Sequence, residues 1–300
     1  MGLPLQISCS VQLFDFRFSI FDFRFFLYPL PFNPFYLSQR DIMKTFQRIV
    51  TGIFCFFVAL PILWLLYSAF LPPEAVLNAR LVPSGVSLAN FRELWGTGTF
   101  RALGVSVLAS GLTVLGQLII GLAAAYAMRT GVKMLWLILL VLALPAELLL
   151  VPLYRELQVL SLLDTFWALV LPFLASPFII FLLFQSLKRV PLELEEAARL
   201  DGAGRTTILW RVIAPLLRPE LAAAGILGFA AHWNLVLFPK VMVGERDLWT
   251  VQVFLSELLR NRPLDWGLLG AAAFVTSLPI IILYIVFEER IIKVFETSFK

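Results

Sequence analysis

A helix of about 20 apolar residues crosses the hydrocarbon core of a bilayer, and this chain holds six stretches of that kind. Val50 to Phe70, Ala102 to Met128, Thr165 to Leu187 and Trp266 to Phe287 contain no charged residue. Met134 to Tyr154 contains Glu147, and Leu221 to Pro239 carries His232 and Asn234. At membrane depth the backbone has no water to bond, so each run is expected to be helical. Prolines at 61, 145, 172, 177 and 279 do not oppose this, because neighbouring helices re-satisfy the backbone groups that a kink frees. The expected fold class is an all-α integral membrane protein with six spans. Composition agrees: 60% of the 300 residues are hydrophobic and 15% charged, against about 25% charged in a soluble domain.

Composition also excludes some partners. The net charge of +4 is small, and the basic residues are interspersed with acids between apolar runs, so no nucleic-acid surface is expected. Cys9 and Cys55 are too few for a disulfide framework and read as unpaired thiols. No combination of His, Cys, Asp and Glu suggests a metal site.

Lysine and arginine in the connections set orientation, since cytoplasmic loops carry the excess. Placing the start of the first span inside puts Lys44, Arg48, Arg129, Lys133, the basic residues from Lys188 to Arg218, Arg290, Lys293 and Lys300 on the cytoplasmic side. The outside then holds Arg80, Arg92, Arg101, Arg155, Lys240, Arg246, Arg260 and Arg262. The bias is modest. It predicts a multi-pass membrane protein with both termini cytoplasmic.

Residues 1–42 do not follow this plan. They hold the near-duplicate stretches Phe14-Asp15-Phe16-Arg17-Phe18 and Phe21-Asp22-Phe23-Arg24-Phe25, with neither the basic start nor the uninterrupted apolar core of a signal peptide. Met43 is followed by Lys44, Arg48 and the first apolar run. The expectation is that translation begins at Met43 and that 1–42 is an over-extended reading frame or a disordered extension. The domain is then residues 43–300. An aromatic-rich segment lying on the membrane surface is the alternative.

The connection between the fourth and fifth spans, Lys188 to Glu220, is long for a compact domain, and long connections tend to be functional. Pro191 stands where a first helical position would be, and Glu193, Glu195 and Glu196 come after it in the first turns, which suits the positive end of the helix dipole. Asp201-Gly202-Ala203-Gly204 is turn chemistry. A second short helix is expected from Thr206 to Ile213, ending near Pro215. The spacing describes a cytoplasmic helical hairpin, which could merely join two spans or could receive another protein on its small Ala197 and Ala198.

The residues favour the second reading. Glu196-Ala197-Ala198-Arg199-Leu200-Asp201-Gly202-Ala203, followed by Val212-Ile213-Ala214-Pro215, resembles the EAA loop of ABC-importer permeases, which reads E-A-A, then G, then I-x-L-P. Val212 replaces the isoleucine, and Ala214 stands where leucine usually precedes the proline. The similarity extends over residues 43–298. Val151-Pro152-Leu153-Tyr154 is similar to the I-P-L-Y of sugar-type permeases. Leu163-Asp164-Thr165-Phe166-Trp167 is similar to their L-x-[ND]-T-aromatic step, with Ser161 in place of the usual glycine before it. Pro191 to Glu196 matches P-x-E-L-x-E. Trp233-Asn234 with Pro239 resembles the W-N stretch, although Leu235 and Val236 replace its usual acid and aromatic, and Trp266-Gly267 opens the last span as in the family. The match is to the carbohydrate-uptake branch, most like the maltose-type second permease subunit.

This resemblance implies a non-catalytic permease subunit that pairs with a second, related permease, sits on two copies of a cytoplasmic ATPase, and receives a sugar from an extracytoplasmic solute-binding protein. Glu196 would bond a basic group of the ATPase, Ala197 and Ala198 would pack in its cleft, and Asp201 and Gly202 would form the bend. No G-x-x-x-x-G-K-[ST] occurs, so ATP would be bound by the partner and the chain itself would need no cofactor. The same architecture could carry a polyol or glycerol phosphate.

Other constellations read more plainly. His232, Trp233 and Asn234 suit a sugar-contacting wall of the translocation path, or interhelical hydrogen bonding, which is common at membrane depth. Glu147 could be the coupling acid of an ion-driven secondary transporter, but such a protein would show inverted repeats and several midplane acids. Gly104, Gly111, Gly116 and Gly121 match no phosphate-cradling loop and read as helix-packing positions. A membrane enzyme would need converging acids, bases or metal ligands, which one histidine without facing carboxylates does not provide.

Overall fold

In the computed structural model residues 39–72, 85–260 and 264–298 are described, and every regular element among them is helical. The stretch read as an extension lies almost wholly outside the described residues. Helix α1 spans Gln39–Ala69, so it is already under way before Met43. Contacts divide the chain at Val58. Up to that point α1 is a helix with Phe46, Phe54 and Phe57 exposed. Residues from Ala59 onward form the second unit, which holds all of the packed helices.

After the end of α1 come α2 (Ala89–Thr97) and α3 (Thr99–Arg129), which meet at Gly98. Next in the chain are α4 (Leu135–Ala143), a 3-10 turn over Ala146–Leu149, and α5 (Leu150–Val159). Two 3-10 turns, Phe166–Leu169 and Leu171–Phe173, lead into α6 (Pro177–Leu187). Beyond it lie α7 (Leu192–Leu200), α8 (Arg205–Leu216) and α9 (Arg218–Trp233). The chain closes with α10 (Leu237–Met242), α11 (Val251–Leu258) and α12 (Trp266–Ser298).

Among the described residues four stretches, Met43–Ala69, Thr99–Arg129, Phe166–Leu187 and Trp266–Phe287, are long and apolar enough to cross a membrane. The third run differs from the single span expected over 134–154. It bends by 100° between Ala143 and Ala146. Pro145 pushes the preceding Leu144 out of the helical region, to ψ 134°. The nine residues of α4 then cover about 14 Å, roughly half a hydrocarbon core. The fifth run also departs from its expected bounds of 221–239. Pro219 in the first turn starts α9 earlier, and Asn234 ends it, with its side-chain amide donating to Ala230 O at 2.8 Å. Residues 237–239 belong to α10 instead.

Helix α3 packs against α6 and α9, α9 also packs against α12, and α12 against α2. One buried core, including Leu122, Ala125, Ile179, Leu183, Leu187, Ile208 and Ile213, fills the end of the bundle where α3 and α6 finish. Another, with Ala109, Leu157, Leu169, Phe238 and Met242, lies toward the start of α3. A third joins Ala69, Leu94, Ala271 and Ala272. At that third core α12 meets α1 so closely that a β-carbon on Gly270 would stand 2.5 Å from Leu65 O. Of the glycines along α3, Gly116 and Gly121 sit against Leu174 and Ile179 as packing positions, whereas Gly104 and Gly111 face open space.

Three helices end in the same way. In α3, α5 and α7 a residue with positive φ comes after the C-cap: Gly131 (φ 121°), Ser161 (φ 55°) and Gly202 (φ 83°). The next amide reaches back to the third-last helical carbonyl in each: Val132 to Ala127, Leu162 to Leu157 and Ala203 to Ala198. This is the Schellman closure, which satisfies the orphan carbonyls of a helix end and favours glycine at the left-handed position.

Candidate functional site

The 188–220 connection folds as α7, a tight turn and α8. Pro191 takes the N-cap position rather than the first helical one, a one-residue difference at a frayed boundary. Glu193 and Glu195 occupy the first turn and Arg199 the last, each matching the helix dipole. The second helix runs longer than expected, over Arg205–Leu216, and contains a π-helical stretch at Ile208–Ile213. Ile208 and Ile213 are fully buried and plant this arm in the core.

The two faces of α7 are inverted relative to an ordinary amphipathic helix. Leu192, Leu194 and Leu200 are exposed, Leu200 at 89%, and Glu196, Ala197, Asp201 and Gly202 are exposed with them. Leu192, Glu196 and Leu200 share one stripe at i, i+4 spacing. The inward residue is an acid: Glu195 is 3% exposed.

Glu195 faces Arg129, the last residue of α3, with Nε and Oε1 2.7 Å apart. The same guanidinium donates from Nη2 to Val190 O at 2.8 Å and from Nη1 to Leu187 O, the end of α6. Arg199 lies 3.8 Å from the other carboxylate oxygen. Sequence reasoning placed Arg129 among the positive-inside residues and Glu195 among the first-turn acids, and missed their pairing. The available signal was the mismatch of an acid on the face that Ala198 and the core claim.

In the fifth run, His232 is 7% exposed and Trp233 2%. The ring accepts at Nδ1 from Ser110 Oγ at 3.0 Å and donates from Nε2 to Leu169 O at 2.9 Å, a tautomer assigned from these partners. Thr113 Oγ1 is 3.4 Å from Nε2. Trp233 stacks on Phe229. Asn234 alone of the three is exposed, and its Oδ1 accepts from Gln252 Nε2 at 3.3 Å. Nearby, Lys240 donates to Glu257 Oε1 at 2.5 Å. That hydrogen bond, with Arg260 beside it, holds the Glu257 carboxyl below its usual range. Glu147 is exposed in the 3-10 turn at the break of the third run.

Toward the start of α3, Asp164 also adopts positive φ, 57°. Its Oδ1 accepts from the Gly244 amide at 2.6 Å, and its own amide donates to Met242 O. The L-x-[ND]-T step thereby fixes the turn after α5 to the segment after α10.

The family described as "Binding-protein-dependent transport system inner membrane component" matches residues 117–293, more than half of the chain and inclusive of α7 and α8. The chain belongs to this family. It is an inner-membrane permease subunit of an ABC importer, a transport component rather than an enzyme. Among its relatives is the arabinooligosaccharides transport system permease protein AraQ of Halalkalibacterium halodurans, 30% identical, covering 85% of this chain and 95% of that one. The sn-glycerol-3-phosphate transport system permease protein UgpE of Yersinia pestis bv. Antiqua is also 30% identical, covering 86% and 97%. In fold, the permease resembles a chain in the crystal structure of a bacterial ABC transporter involved in the import of the acidic polysaccharide alginate. The TM-score is 0.76 at 22% identity, over 86% of this chain and 99% of that one.

Proposed function

We propose that this permease forms, with a second related permease, the translocation path for a sugar delivered by a solute-binding protein, and that the α7–α8 hairpin docks one of two cytoplasmic ATPase subunits. The observation that carries the docking assignment is the outward face of α7. It presents Leu192, Glu196, Ala197 and Leu200 together, with the exposed Glu193 among them, and exposed apolar side chains gathered on one face mark protein contacts. Glu196 bonds a basic group of the ATPase, Ala197 allows close approach, and Asp201 and Gly202 form the bend, whereas Ala198, expected on the same surface, is half-buried against the core. The partner ATPase supplies the bound ATP. In this reading the chain crosses the membrane six times, the fifth crossing being α9 alone, with both termini and the hairpin cytoplasmic.

For the path, exposure favours one of the three polar candidates. Asn234 faces outward with Gln252 as a paired amide that suits a hydroxylated cargo. His232 and Trp233 support it from behind. A glycerol-phosphate cargo is the second reading, favoured by the likeness to UgpE.

Glu196→Ala and Gly202→Leu test the docking. Glu196→Ala removes one charge-assisted contact, about 1.5–3 kcal/mol if buried at the interface. Gly202→Leu puts a side chain at φ 83° on the approach surface. Both variants are expected in the membrane at near-normal levels, with transport and ATPase co-purification lost. Full uptake with a normally bound ATPase in both would make the hairpin a mere connector. Uptake of labelled maltose, arabinooligosaccharides and glycerol 3-phosphate by the reconstituted importer assigns the cargo.

A further inference from the structure

Most charged groups outside the docking face are exposed or sit at loop surfaces, and the Lys240–Glu257–Arg260 cluster is partly solvated. Arg129 and Glu195 are different: both side chains are under 10% exposed, at 9% and 3%. One guanidinium touches four pieces of the chain. It grows from the last turn of α3, donates to the terminal carbonyl of α6 and to Val190 in the linking turn, and faces the inward acid of α7. Arginine suits this because its planar fork of five donors holds several acceptors in fixed directions, which the single point charge of lysine cannot do.

We propose that Arg129 and Glu195 are positioning residues that couple the docking helix rigidly to α3 and α6, so that displacement of α7 by the ATPase is delivered to those two spanning helices. This rests on the docking assignment above. The reasoning is mechanical. Helix α7 ends in the Gly202 turn on one side and is tethered to α6 by the short link from Lys188 to Pro191 on the other. Its outward face is reserved for the partner, and its inward face meets the bundle through Glu195 and the partly buried Ala198. The nine-residue helix also packs on the π-helical stretch of α8, but its direct hold on the end of α3 is the ion contact, and without it α7 could shift under load without moving that span. Glu196, the neighbouring acid, points away and takes no part in the link.

The test uses the assembled importer, with permease pair, ATPase and binding protein in lipid nanodiscs for ATP hydrolysis and in proteoliposomes for uptake. The probe is whichever labelled compound of the panel above the wild-type complex takes up. Glu195→Gln and Arg129→Lys weaken the link while keeping polar partners, and Arg129→Met with Glu195→Met replaces the pair by apolar side chains, a change that buried pairs often tolerate in stability. The expected result is that Glu195→Gln and the double variant assemble with their ATPase and hydrolyse ATP, while molecules transported per ATP fall about ten-fold. Arg129→Lys should fall in between. An unchanged transport-to-hydrolysis ratio in the double variant overturns the proposal, as does its failure to accumulate, which would make the pair a folding element. Loss of ATPase from Glu195→Gln also contradicts it, since Glu195 would then belong to the dock. The docking assignment fails by a different sign, namely Glu196→Ala and Gly202→Leu complexes that keep their ATPase and transport normally.

Discussion

Ser161 holds φ 55° at the closure of α5, where its β-carbon costs about 1 kcal/mol relative to glycine. Ser161→Gly should therefore raise the thermal unfolding midpoint of the solubilised protein, read by tryptophan fluorescence, and leave uptake unchanged. An unchanged or lowered midpoint would show that the turn after α5 is not held left-handed. The departure from the family's glycine was legible in the sequence, but its reason was not: the strain is visible only with the Leu162 to Leu157 bond that closes the helix. His232 gives a second residue-level prediction. With both ring nitrogens bonded inside the subunit, His232→Ala orphans Leu169 O and Ser110 Oγ and should cost about 1–3 kcal/mol of stability. A lower midpoint is expected before any change in cargo preference. A stable variant with altered preference would instead put the ring in the path. The sequence showed a polar trio at membrane depth. It could not show which member turns outward, because that depends on where α9 stops and how Ser110 meets the ring.

Helices were legible where the apolar run is long and unbroken, as in α1, α3 and α12. The third run was not, because there a proline ends the helix. Pro145 and the preceding Leu144 turn the third run by 100°, while Pro61 and Pro279 lie inside continuous helices. Sequence alone does not separate the two outcomes, since the cost of a broken backbone bond depends on what neighbours supply. The close pair α1 and α12 is likewise a matter of tertiary contact. Gly270→Val would drive a β-carbon into Leu65 O and Ser68 Oγ, at 2.5 and 2.8 Å, with further methyls behind it. Membrane accumulation of this variant should fall sharply, and Gly270→Ala should be milder. Normal accumulation and uptake of Gly270→Val would mean that the two helices do not meet there.

For the whole molecule, the EAA-like residues were legible because they form one contiguous motif, and the turn at Gly202 took the positive φ that its glycine allows. The contact from Glu195 back to Arg129 was not, since it joins residues of separate helices. The proposed topology predicts that a single cysteine at position 203, in a Cys9→Ser, Cys55→Ser background, reacts with a membrane-impermeant thiol reagent only after the cells are opened. Labelling from outside intact cells would invert the orientation. The central claim is that α7 meets the ATPase. Its most direct measurement is a photoreactive cross-linker attached at Ala197→Cys, compared with one at the exposed Leu160 after α5, in the assembled importer. The account predicts a covalent adduct between permease and ATPase from position 197 and none from position 160. An importer that hydrolyses ATP and transports cargo yet gives no adduct from position 197 would contradict it.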